Sequence, residues 1–163
     1  MAIGLGLWGT ATAVAQADSV TAFVDVSVVT MEREAVLPGQ TVVVRGDRIV
    51  ELGPAGSVKV PAGARRIDGR GKYLLPGLAD MHVHLGTDPA VQASLRALFV
   101  GFGVTSVLNL SGTPSHLALR ERIARGEVLG PTLYTSGPIH NDSTLTFADG
   151  ERIAAAEAAA GFD

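Results

Sequence analysis

Apolar positions follow two rhythms along the chain. From residue 20 to 75 they fall in short bursts rich in Val, Ile, Thr and Phe, broken by Gly and Pro. That is the pattern of β-strands joined by turns. Residues 20–31 form the first burst, and Pro38-Gly39 reads as a turn. Residues 41–45 and 48–52 flank Gly46-Asp47, which fits a tight hairpin, and Gly53-Pro54 closes its second strand. Residues 65–68 add one more short strand. The segment reads as part of a small β-domain, with too few strands to bury both faces alone.

After Gly77 strands alternate with helices. Residues 78–85 read as a strand, followed by a helix over about 89–100 with Val91, Leu95, Leu98 and Phe99 on one face and Gly101 as its left-handed cap. A second strand spans 105–110. Its helix starts with Thr113 as N-cap and Pro114 at the first position, runs to Arg125 and stops at Gly126. Glu121 and Arg125 are spaced to pair on its solvent side. A third strand, 132–136, precedes an Ala-rich helix over 151–160, with Asp149 as N-cap and Gly161 as stop. This alternation predicts an α/β fold with a parallel sheet and right-handed crossovers.

Composition narrows the function. At 47% hydrophobic residues the chain is expected to be ordered. A net charge of −3 with scattered basic residues argues against a nucleic-acid partner. The absence of cysteine excludes disulfides, thiolate metal sites and the cysteine-ligated zinc deaminase pattern. Residues 1–17 form a separate segment: Ile3 to Val14 is small and uncharged, and Ala15-Gln16-Ala17 offers a small-x-small cleavage site before Asp18. The apolar run is short for a bilayer span, so export to the periplasm or outside, with cleavage after Ala17, is the expectation.

The chemistry concentrates in Asp80-Met81-His82-Val83-His84, directly after Leu74-Leu75-Pro76-Gly77-Leu78-Ala79. Two histidines two apart on a strand share a face, so both imidazoles can reach one metal ion, and imidazole suits zinc. Barrels of βα units gather their active sites at the carboxyl ends of the strands, where this pair falls. Asp80 is expected one step deeper on the same face, able to orient a ligand histidine through its second ring nitrogen. His140 and Asn141 follow the third strand and reach the same mouth, as candidates for substrate contact. His116 reads as a solvated helix residue, and Asp88, before a proline, as a helix start. Gly101-Phe102-Gly103 follows a helix and enters a strand, the reverse of a phosphate-cradling loop. A catalytic zinc site takes at least three protein ligands and an open position, so two histidines are half a site.

The 75–84 motif, the hairpin of residues 42–54, the segment 101–110 and the segment 130–138 together resemble the amidohydrolase superfamily. The resemblance covers nearly all of residues 20–163 and is closest to the imidazolonepropionase-like and Xaa-Pro dipeptidase-like branch. It implies a (β/α)8 TIM barrel carrying a small β-sandwich built from both chain ends. Residues 18–75 would then be the N-terminal part of the sandwich, and 76–163 the first three βα units of the barrel. It implies a divalent metal, zinc first, with His82 and His84 as first-strand ligands. A small-molecule amide, cyclic amide or dipeptide would be hydrolysed at a C–N bond. A barrel of this kind needs roughly 250 residues. The remaining ligands and the general base are thus expected beyond Asp163, and the isolated chain is expected to be inactive. Leu108-Asn109-Leu110 departs from the family, standing where many relatives carry Arg-Asp. The alternative reading is a non-catalytic secreted binding or assembly module with a remnant histidine pair.

Overall fold

Val36–Arg45 (β2) and Arg48–Pro54 (β3) fold back on each other with Arg45 opposite Arg48, leaving Gly46-Asp47 as the whole turn. Gly46 takes φ +57°, a conformation that glycine enters without steric cost. This is the hairpin expected from the sequence. The computed structural model describes residues 19–163, so the expected signal segment 1–17 lies outside the described residues. The chain divides into two compact units, the first ending at Pro76 and the second starting at Gly77.

In the first unit Val20–Val29 (β1) lies antiparallel to β2, while Arg65–Asp68 (β4) and Tyr73–Leu74 (β5) pair with β1 in parallel. Val26, Val28 and Val42 form its buried centre, with Phe23, Leu37, Val44 and Leu74 packed against them. Pro38-Gly39 is not a chain reversal. It lies inside β2, where three steps of β2 match two of β1 between the Val26–Gln40 and Val28–Leu37 pairs. Gly39 has φ +61°. A proline without an N–H and a glycine free to adopt positive φ fit a β-bulge as well as a turn, and here the pairing on both sides carries the strand through.

The second unit is a parallel sheet in the order Leu78–Val83 (β6), Val104–Asn109 (β7), Thr132–Thr135 (β8). Helix Pro89–Gly101 (α1) connects β6 to β7, Pro114–Ala124 (α2) connects β7 to β8, and Phe147–Ala160 (α3) follows β8. Val83, Leu85, Val107, Leu119 and Leu133 make the core, joined by Leu95 and Phe99 of α1 and Ile123 of α2. Each such side chain taken out of water is worth about 1.5–3 kcal/mol.

The helix signals came out unevenly. Asp88 caps α1 as expected, its carboxylate accepting from the Ala90 and Val91 amides at 2.8 and 3.2 Å. The inward face of α1 differs from the expected one: Val91 and Leu98 are exposed, and Gln92 is buried. Gln92 turns inward because its amide finds the Gly86 carbonyl at 2.7 Å. The left-handed residue after α1 is Gly103, at φ +81°, and not Gly101, which is the last helical residue. Thr113 and Pro114 open α2 and Gly126 follows its end at φ +69°, as expected. The Glu121–Arg125 pair is present at 3.4 Å. Helix α3 starts at Phe147 rather than Glu151. Thr146 is its cap, and Asp149, expected as the cap, accepts from the Thr146 amide and hydroxyl in a reciprocal capping box.

Candidate functional site

His82 and His84 lie at the carboxyl end of β6 on either side of Val83, which is buried against the helices. Both histidines are exposed. Their ring centroids are 5.3 Å apart with the planes at 70°. The rings therefore stand edge to face, both exposed, on the positions that flank buried Val83. The donor set, two neutral-capable imidazoles without thiolate or crowding carboxylates, has the chemistry of a borderline divalent cation site. Among the described residues no group of three or more His, Cys, Asp or Glu side chains converges on one point.

Asp80 is tied to the main chain beside the pair. Its Oδ1 accepts from the His82 backbone N–H at 3.1 Å, so its hydrogen bond goes to the main chain beside the pair and not to an imidazole. The strand also slips in register here. Asp80 lies opposite Val107 and Val83 opposite Asn109, so three steps of β6 match two of β7. The extra residue makes a β-bulge between Asp80 and Val83.

His140 is held by α3: its Nε2 meets Glu157 Oε1 at 2.5 Å. Gly137 permits this approach, because a Cβ there would sit 2.2 Å from the Glu157 carboxyl carbon. Asn141 is exposed in the same loop. Next to it the Thr144 hydroxyl and amide hold the Asp142 carboxyl below the usual carboxylate range.

The largest departure is His116. Expected to be solvated, it is fully buried at 0% exposure, as are Asn109 and Thr135. His116 Nε2 reaches the Gly86 carbonyl at 2.6 Å, and its Nδ1 lies 3.0 Å from the Thr113 amide. A carbonyl only accepts and an amide N–H only donates, so the ring is the neutral Nε2–H tautomer with both nitrogens committed. The sequence held one sign of it. Thr113-x-x-His116 has capping-box spacing, with histidine in the place of Glu or Gln.

The relatives decide the family. Over 123 residues the chain is 30% identical to an adenine deaminase of Deinococcus radiodurans, covering 72% of this chain and 22% of that protein. It is 42% identical over 69 residues to an imidazolonepropionase of Rubrobacter xylanophilus, 38% of this chain and 16% of that one. Its backbone superposes on a proposed prolidase from Bifidobacterium longum with a TM-score of 0.78 and 28% identity, covering 88% of this chain and 39% of that one. The chain belongs to the amidohydrolase superfamily. No protein-family model matches it. This amidohydrolase chain spans 22% of the Deinococcus relative and 39% of the Bifidobacterium structure. The cysteine-free composition is in keeping with relatives called deaminases, since only the cysteine-ligated type is excluded.

Proposed function

We propose that the chain is the N-terminal part of a metal-dependent hydrolase that cleaves a C–N bond in a small molecule, with β6–β8 as the first three strands of a (β/α)8 barrel. The observation that carries the reading is the pair of exposed imidazoles, 5.3 Å apart at the carboxyl end of β6, in a chain of this superfamily. His82 and His84 would hold a divalent ion, zinc first. When bound, such an ion supplies a water acidified towards neutral pH and polarises the carbon–nitrogen centre under attack. The chain's own part is to present the two rings together, with Asp80 fixing the main chain where it enters the pair, at the His82 amide. The loop bearing His140 and Asn141, past the end of β8, is proposed to meet substrate. The reading assigns the other ligands and the general base to further strands of a longer polypeptide, so this chain alone is expected to bind the ion without turnover.

Calorimetric titration of zinc into the chain tests this. Wild type should bind one ion per chain, and H82A/H84A should abolish the binding. Equal affinity in the double variant, or no uptake by wild type, would defeat the metal reading. We further propose export, from the pattern of residues 1–17; a processed product beginning at Asp18 is expected in the mass spectrum of exported protein. Among the described residues no helix is long and apolar enough to cross a membrane.

A further inference from the structure

The segment just after the histidine pair is gripped by buried side chains from three other elements. Asn109, at the end of β7, accepts from the Leu85 amide through Oδ1 at 3.1 Å. His116, in the first turn of α2, and Gln92 of α1 both donate to the Gly86 carbonyl, at 2.6 and 2.7 Å. Gly86 itself takes φ +62°, a conformation that turns the chain sharply away from the strand. Leu85 and Gly86 are the first two residues after His84.

The side chains behind these contacts are uncharged. Asn109 Nδ2 donates to the Ser111 carbonyl at 3.2 Å and to Thr135 Oγ1 at 3.1 Å, while Thr135 Oγ1 donates onward to the Ser136 carbonyl. Gly112 lets the loop pass, since a Cβ there would strike the Ser136 carbonyl oxygen. Every partner of Asn109 Nδ2 in this set is an acceptor. An aspartate at 109 would put a carboxylate oxygen against the Ser111 carbonyl at a fully buried position. This accounts for the amide at a position where the resemblance leads one to expect Asp.

We infer that Asn109, His116 and Gln92 are positioning residues that set the direction of the His82/His84 pair by pinning Leu85-Gly86. The inference rests on the proposed role of that pair as ligands, and it extends the site to residues that never touch an ion. Side chains that orient ligands from behind typically cost 10–100-fold in metal affinity when removed.

The test compares wild type with H116L, H116Q and N109D in the full chain. Gln can accept from the Thr113 amide and donate to Gly86, so it should rescue what Leu loses. The first readout needs no metal: imidazole resonances of His82 and His84, and hydrogen exchange of the Leu85 amide. H116L and N109D should shift or broaden both rings and speed exchange at Leu85, and H116Q should return towards wild type. The second readout is titration with cobalt(II), followed by its visible spectrum, with about 10–100-fold weaker binding in H116L and N109D and recovery in H116Q. Unchanged rings and unchanged Leu85 exchange in a folded H116L would overturn the inference, whatever the metal does. Altered rings in a chain whose wild type takes up no cobalt would uphold the positioning and remove the metal reading instead. If H116L loses its helical circular dichroism, Q92M, which deletes only one of the two donors to Gly86, carries the same comparison: altered rings and faster Leu85 exchange uphold the inference, and no change in either overturns it.

Discussion

Gly77 offers the sharpest quantitative test of the packing. It precedes β6, and an added Cβ would lie 2.0 Å from Thr105 Oγ1, 2.5 Å from its Cγ2 and 2.7 Å from its Cβ. Real Cβ atoms do not approach so closely. Gly77→Ala must therefore displace the start of β6 or force Thr105 from its rotamer. Overpacking of this kind costs about 1–3 kcal/mol, and contact with all three outer atoms of one side chain argues for the upper half. Thr105 is exposed, so Thr105→Ala alone should cost little, about 0.5 kcal/mol. In the double variant Oγ1 and Cγ2 are gone and only the contact with Cβ remains. The two changes should then couple by about 1 kcal/mol, with the pair more stable than the sum predicts. The three helices among the described residues lie in the second unit, so urea unfolding followed at 222 nm reports that unit. A Gly77→Ala chain within 0.5 kcal/mol of wild type, or a strictly additive cycle, would refute the claim that this glycine is there for close approach.

Two further expectations follow from local geometry. Thr146→Ala removes the oxygen that accepts from the Asp149 amide at 3.2 Å; it should cost about 1 kcal/mol and speed exchange in the first turn of α3, as read by amide hydrogen exchange. Asp68 is held at about 2, below the ordinary 3.8, chiefly by the side-chain hydrogen bonds of Arg70 and then by the Arg70 amide. A depressed carboxyl favours the folded form above its unfolded value near 4 and loses that contribution as pH falls through about 2. Carboxyl resonances should therefore show Asp68 titrating near 2, and Arg70→Ala should move its midpoint back up towards the ordinary range.

What the sequence revealed about the fold was what neighbours in the chain can decide. The Gly46-Asp47 hairpin, the Asp88 cap and the Thr113-Pro114 start each depend on a few adjacent residues, and each formed where expected. Helix ends were misjudged by a few residues, at Gly101 and at Asp149, and the larger errors lie where a distant partner decides. Pro38-Gly39 carries the composition of a turn, and only the pairing of β1 with β2 on both sides makes it a bulge. Gln92 has no reason to face inward until the Gly86 carbonyl is in place, and Val91 beside it is exposed. His116 sits four residues beyond a Gly in a helical first turn, an unremarkable context, yet its ring is closed in by partners 30 residues back and 3 residues back.

The same division explains the site. That His82 and His84 share a face was legible, because Val83 alone separates them and alternation holds over so short a step. The slip of β6 against β7 between Asp80 and Val83 was not, because it has no signature in the residues of β6. The sheet thus assigns its two faces opposite work. The helix side, with Val83, Leu85, Val107 and Leu133, carries packing, and it ends in a layer of uncharged hydrogen bonds through Asn109, Thr135 and His116. The other side presents imidazoles. Substitutions one residue apart should therefore fail in different ways: at Val83 through stability with the rings still able to meet an ion, at His84 through lost binding in a chain that still folds. The layer through Asn109 is where the two kinds of failure meet, because it is buried like the core and yet fixes the main chain from which His84 projects.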